Sequence, residues 1–191
     1  GSETYLLTAA ENLLRLGHEV RIFAHTAGDM AQIATRHGIS VVDQLADLGE
    51  PADVAITQDG AIAYEVASVW PQVPQLFVCH SSLFDYQQPP LVPEVATAVI
   101  ALNDRVRRRL ESLNTDLRIV RLTQPIDTQR FQPESAPAST PRRALILSNY
   151  LAAEARQVLV ETWEAAGLEV VQTGTPTVTT MVPETSIADA D

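Results

Sequence analysis

The stretch Asp53-Val54-Ala55-Ile56-Thr57, followed by Ala61 to Val69 and then by Gln75-Leu76-Phe77-Val78-Cys79, decides the fold. Two short runs that are mostly apolar bracket a segment of helix length. A strand with one wet face alternates between apolar and polar residues, whereas a run that stays apolar is covered on both faces. Two such strands joined through a helix form a parallel pair, because a parallel connection needs a crossover.

The same grammar extends in both directions. Upstream, Leu6, Leu7, Ala10, Leu13 and Leu14 recur at helical spacing up to Leu16, and Gly17 ends the helix. Ser2 or Thr4 is placed to cap its start, with Glu3 in the favourable first turn. Glu19 to Ala24 reads as a short strand. Gly28-Asp29 opens a helix over Met30 to His37, stopped by Gly38, and Ile39 to Val42 is the next strand. Downstream, Ala98 to Leu102 is a strand, Asn103 or Asp104 caps a helix running to Leu113, and Leu117 to Leu122 is a strand.

Between Pro125 and Pro141 the composition changes to Pro among Ser, Thr, Gln and Ala, which reads as a linker. A fresh β-α-β unit follows: Arg143 to Leu147, Ala152 to Ala166 and Gly167 to Gln172. Glu184 to Ala188 reads as the start of a further helix. The expected fold class is α/β: a doubly wound parallel-sheet (Rossmann-like) domain over residues 1–124, a linker over 125–141, and part of a second Rossmann-like domain over 142–191. The first domain opens on a helix, whereas the first strand of a doubly wound sheet is central. The second domain has two strands, too few to stand alone. The expectation is therefore of a natural protein longer at both ends.

Composition narrows the function. The chain has 191 residues, 46% of them hydrophobic, enough to bury a sizeable core. Its net charge of −11 argues against general binding to nucleic acid or to an anionic membrane surface. No apolar run approaches the roughly 18 residues that span a bilayer, and no secretory signal is visible, so the expected setting is cytoplasmic. One cysteine, Cys79, excludes an internal disulfide and fits a reducing compartment. All 13 basic residues are Arg, which rules out a Lys nucleophile, Schiff base or phosphate-loop Lys within these residues. The four His have no metal-ligand spacing, and no Cys-x-x-Cys occurs. Neither a metal nor a resident cofactor is expected.

Three places resemble the retaining glycosyltransferases of GT-B architecture (the "glycosyl transferases group 1" family). Gly1-Ser2-Glu3-Thr4, with the helix ending Leu16-Gly17-His18-Glu19-Val20, is similar to that family's glycine-rich loop, first helix and second strand. Pro125-Ile126-Asp127-Thr128-Gln129-Arg130-Phe131-Gln132-Pro133 resembles its Asn-Gly-Val-Asp-x-x-x-Phe-x-Pro segment, and is the most specific of the three. Asn103 to Leu110 is similar to a Ser-rich strand-to-helix step. The chain departs from the family in having Gln124-Pro125 in place of Asn-Gly. It also carries Ser148-Asn149-Tyr150-Leu151 where the family shows Gly-Arg and a nearby Lys. The family's Glu-x7-Glu pair would lie beyond Asp191.

The resemblance implies a transferase that moves a sugar from a nucleotide-diphosphate donor to an acceptor with retention, the nucleotide sugar being a co-substrate. It implies that His80, at the carboxyl end of a strand, reaches the donor sugar; otherwise it is a loop histidine bonded to backbone. Gly1 and Ser2 would face the donor phosphate, or act as a helix cap. Asp59 would touch an acceptor hydroxyl, or cap a tight strand-to-helix turn. Ser81 follows His80 in the same loop. Ser148 and Asn149 would replace charged phosphate ligands, or form an ordinary turn. Arg105, Arg108 and Arg109 share a helix face that either meets a phosphorylated or lipid-linked acceptor, through peripheral membrane contact, or is simply solvated. Its place early in the helix is expected to oppose the dipole. Two other readings stand beside transfer: a non-catalytic relative that binds sugar or a protein partner, and a GT-B-shaped sugar-nucleotide epimerase. Residues 1–191 alone are expected to show no turnover.

Overall fold

The structure is a computed structural model that describes residues 2–113, 115–132, 136, 139–148 and 151–174. The chain forms two compact units, Gly1–Pro125 and Ile126–Asp191.

The first unit begins with α1 (Ser2–Arg15), so Thr4 lies inside the helix rather than capping it. Then come β1 (Arg21–Phe23), α2 (Asp29–Arg36) and β2 (Ser40–Val42), with β1 and β2 in parallel register. Gly17 and Gly38 close the two helices at φ 90° and 81°, a left-handed conformation that glycine adopts without strain. A short 3-10 turn at Leu45–Leu48 leads to β3 (Ala55–Thr57), α3 (Gly60–Val69) and β4 (Gln75–Cys79). After a second 3-10 turn, Asp85–Gln87, come β5 (Ala98–Ala101), α4 (Asp104–Glu111) and β6 (Ile119–Arg121). Sequence periodicity does not signal either 3-10 turn.

β3, β4, β5 and β6 form a parallel four-stranded sheet in that order, as the apolar runs predict; β1 and β2 form a separate parallel pair. The alternation along β4 and β5 sends side chains to two helical layers. Phe77, Cys79, Val99 and Ala101 pack with Ala63 of α3 and Val106 and Leu110 of α4. On the opposite face Val78, with Ile56 and Ile100 beside it, meets Tyr5 and Ala9 of α1. The same α1 uses Leu7, Ala10 and Leu14 to pack on α2, β1 and β2. One helix therefore lies across both sheets on one face, while α3 and α4 cover the other. This is a mixed α/β, Rossmann-like arrangement.

The second unit contains β7 (Arg143–Leu147), α5 (Ala153–Ala165) and β8 (Glu169–Thr173), with β7 and β8 parallel. Asp127 organises the turn before them: its carboxylate accepts from the N–H groups of Gln129 (2.9 Å) and Arg130 (3.2 Å). Arg130 lies over the Phe131 ring, 5.3 Å from its centroid. The Glu184 to Ala188 segment lies outside the described residues. No helix among the described residues is long and apolar enough to cross a membrane.

Candidate functional site

Parallel strands end together at one edge, and the loops that leave that edge gather side chains from several elements. Here β3 delivers Gln58 and Asp59, β4 delivers His80 and Ser81, and the first turns of α1 bring Tyr5. The His80 ring lies edge-on to Tyr5, with centroids 5.0 Å apart and planes at 83°. Its Nε2 is 3.0 Å from Gln58 Oε1. With that oxygen accepting, Nε2 carries the proton and Nδ1 keeps its lone pair. Burial pushes the His80 pKa below the ordinary imidazole value, against the opposing pull of the Glu3 carboxylate. His80 is thus a neutral, half-buried imidazole at neutral pH, held by a side chain rather than by the backbone carbonyl that an ordinary loop histidine would use.

Asp59 is engaged by its own helix. Its Oδ1 accepts from the N–H groups of Ala61 (2.9 Å) and Ile62 (3.2 Å), capping α3. Gly60 comes next because nothing larger fits: a Cβ there would stand 2.8 Å from the Gln88 carbonyl oxygen. Ser81 Oγ accepts from Leu83 N–H at 3.0 Å and so shapes the loop after His80. Ser2 is the first residue of α1, and its hydroxyl donates to the Glu3 carboxylate at 3.2 Å. Gly1 and Asn149 lie outside the described residues.

Cys79 is buried, its thiol donating to the carbonyls of Ser81 (3.4 Å) and Gln87 (3.5 Å). Burial pushes its pKa up to about 11, so it stays a thiol and is no nucleophile at neutral pH. The Arg cluster is corrected in one respect. Helix α4 ends at Glu111, so Arg108 and Arg109 fall in its last turn, where positive charge suits the dipole. Asn103 is the cap, accepting from Val106 N–H at 2.9 Å. Arg107 sits between Asp104 (3.9 Å) and Glu111 (3.7 Å), and Arg121 reaches Asp104 at 3.1 Å.

In the second unit, Ser148 extends the β7–β8 ladder, its N–H donating to the Thr173 carbonyl at 3.2 Å. Arg156 of α5 donates to the carbonyls of Ser148 and Gly174, each at 3.1 Å, and lies 3.4 Å from Gln172 Oε1. Sequence reasoning missed this residue and also missed Gln58. Both follow from position: Gln58 is the first residue beyond β3, and Arg156 stands one turn into α5, facing the strand ends. Among the described residues no group of three or more His, Cys, Asp and Glu side chains could hold a metal ion. Compared with protein-family models, with curated proteins and with solved structures, the chain matches none.

Proposed function

We propose that the chain works in glycosyl transfer, with the carboxyl edge of its four-stranded sheet meeting a nucleotide-diphosphate sugar. The observation that carries this reading is the neutral His80, fixed by Gln58 and Tyr5 at that edge. A neutral imidazole with one lone pair accepts a hydrogen bond from a sugar hydroxyl without adding charge. The nearby start of α1 favours an anion such as diphosphate. Transfer with retention builds negative charge on the departing phosphate oxygen and positive charge on the sugar ring; the first is what helix N–H groups stabilise.

A non-catalytic, sugar-binding role is the second reading. Its support is the sequence Ser148-Asn149-Tyr150, which carries no Arg or Lys where the resembled family does. A thermal-shift screen of the chain against uridine, guanosine, adenosine and thymidine diphosphate sugars, and against the corresponding free sugars, separates the two. A ligand present at about 100 times its Kd adds about 2.7 kcal/mol of stability. A shift with one nucleotide family that is lost in His80→Ala supports the carboxyl-edge site. A shift as large with the free sugar as with its nucleotide diphosphate form favours the binder. No shift with any of these ligands rejects both.

A further inference from the structure

Helices α3 and α4 cover one face of the four-stranded sheet, and the chain between β4 and β5 crosses that face between them. This crossover starts at the carboxyl edge, where the Tyr86 and Gln88 carbonyls stand over Gly60 at the start of α3. It ends at the amino edge, where Thr97 N–H bonds to the Gln75 carbonyl. Val95 and Ala96 tie it to the core beneath, together with Val106 and Leu110 of α4. Its outer side is open to solvent. Leu83, Phe84, Tyr86, Leu91 and Val92 are exposed, Leu83 being 71% exposed. The Phe84 and Tyr86 rings stack with centroids 5.7 Å apart.

Both helices turn a flank toward this crossover. An α-helix advances about 100° per residue. With Val106 and Leu110 on the sheet, Arg107 falls on one flank of α4, Arg105 and Arg109 on the other, and Arg108 on the outside. The Arg107 flank faces β6, because Asp104 beside it holds Arg121 at the end of β6. Arg105 and Arg109 therefore face the crossover. On α3, Glu65 lies toward β1, where it meets His25, so Tyr64 on the other flank, also exposed, lies toward the crossover. Arg105, Arg108 and Arg109 are exposed, as are Asp85 and Glu94 of the crossover. Among the described residues none of these five has an ion-pair partner.

We propose that this face, from Tyr64 across the crossover to Arg108, is the interface of a homodimer. Its exposed rings and aliphatic side chains open on the order of 500 Å² of apolar surface, at the upper end of what a monomer shows. With the three arginines the face approaches the roughly 800 Å² that each partner gives to a standard interface. Aromatic rings beside Arg are the residues that anchor such interfaces. Charge selects a second copy as the occupant. Asp85 and Glu94 stand at the carboxyl and amino ends of the crossover, and Arg105 and Arg109 follow the same order along α4. A two-fold axis lying in the face, parallel to α4 and between these two columns, brings Asp85 of one copy to Arg105 of the other, and Glu94 to Arg109, twice over. The Phe84 and Tyr86 rings then lie against Arg stems of the other copy. A wholly acidic partner, an anionic bilayer included, would meet Asp85 and Glu94 with like charge. This inference does not depend on the glycosyl-transfer reading.

Sedimentation equilibrium of the 191-residue chain is the test. A dimer with a micromolar dissociation constant is expected. Phe84→Ser with Tyr86→Ser should raise that constant about tenfold or more, and Arg105→Glu with Arg109→Glu should do the same. Adding Asp85→Arg and Glu94→Arg to the Arg-reversed chain should restore the wild-type constant to within about threefold, because the pairs re-form with their signs exchanged. Leu16→Ser, an exposed apolar residue at the end of α1, should leave it unchanged. Circular dichroism checks that each variant is folded. A chain that stays monomeric throughout overturns the proposal, as does a dimer that neither pair of substitutions weakens. A dimer lost on charge reversal and not regained in the fourfold swap equally overturns it. Binding of monomer to phosphatidylglycerol vesicles, abolished by the Phe84 and Tyr86 substitutions, would give the face to a bilayer and overturn it too.

Discussion

The four-stranded sheet of the first unit and the β7–β8 pair of the second are written in the same local language, yet they bury very different amounts. Phe77, Val78 and Val99 have no exposed surface, and β4 and β5 are closed on both faces. In the second unit Ile146 is buried, but α5 has no buried residue and Val158 is 61% exposed. The difference lies in coverage. A parallel strand becomes core when it has neighbours on both edges and helices on both faces. Among the described residues β7 and β8 have one ladder between them, and α5 alone packs on it. An apolar run reports what a strand can bury; its neighbours decide how much it does.

The sharpest way to break this comparison is to cut each centre. Phe77→Ala should cost about 3–5 kcal/mol in urea unfolding of the first unit, because the ring sits among Ala63, Val99 and Val106 with no route to collapse. Ile146→Ala should cost less than about 2 kcal/mol, its surroundings being partly open to solvent. Equal losses would contradict the coverage argument. Gly60→Ala comes next, at about 1–3 kcal/mol, since the new methyl meets a backbone carbonyl that cannot swing away. Asp59→Ala should cost about 1 kcal/mol by leaving two α3 N–H groups uncapped, and Asp59→Asn should restore most of it.

The smallest expected effect is a pH dependence. His80 has a folded pKa below its unfolded value, so the unfolded chain binds the proton more readily. The stability that comes from keeping His80 neutral is therefore fully present above the unfolded pKa. It is lost as pH falls through that value toward the folded one. His80→Gln should flatten this part of the pH profile. A wild-type profile that rises on acidification, or one unchanged by the substitution, would show that burial does not govern this imidazole.

Much of the fold was legible along the chain, because glycines and apolar runs act locally. Gln75–Cys79 and Arg143–Leu147 fall where the sequence puts them, and Gly17 and Gly38 end α1 and α2 as expected. Strand ends were less legible. Glu19 to Ala24 shrinks to Arg21–Phe23, because ladder partners, not apolar character, set the ends. Asn103 and Asp59 were readable as caps from their place before a helix. The site was readable only in part. His80 stands out as a histidine at a strand end. Its partners Gln58 and Tyr5 lie 22 and 75 positions away; the pairing of β3 with β4 brings the first and the crossing of α1 over β4 the second. The dipole argument fails for Arg108 and Arg109 because the helix stops at Glu111, two residues before the apolar pattern does, whereas Arg105 stays in the first turn.

Glycosyl transfer at the carboxyl edge is tested most directly by the imidazole itself. The chain is labelled with 15N-histidine, and the ring resonances of His18, His25, His37 and His80 are followed as nucleoside diphosphate sugars are added, with His80→Gln fixing the assignment. The predicted result is that the His80 Nδ1 resonance moves saturably with one nucleotide-sugar family while the other three histidines stay in place. If His80 stays in place through every titration, or moves no more than His18, the carboxyl edge is not the sugar-nucleotide site.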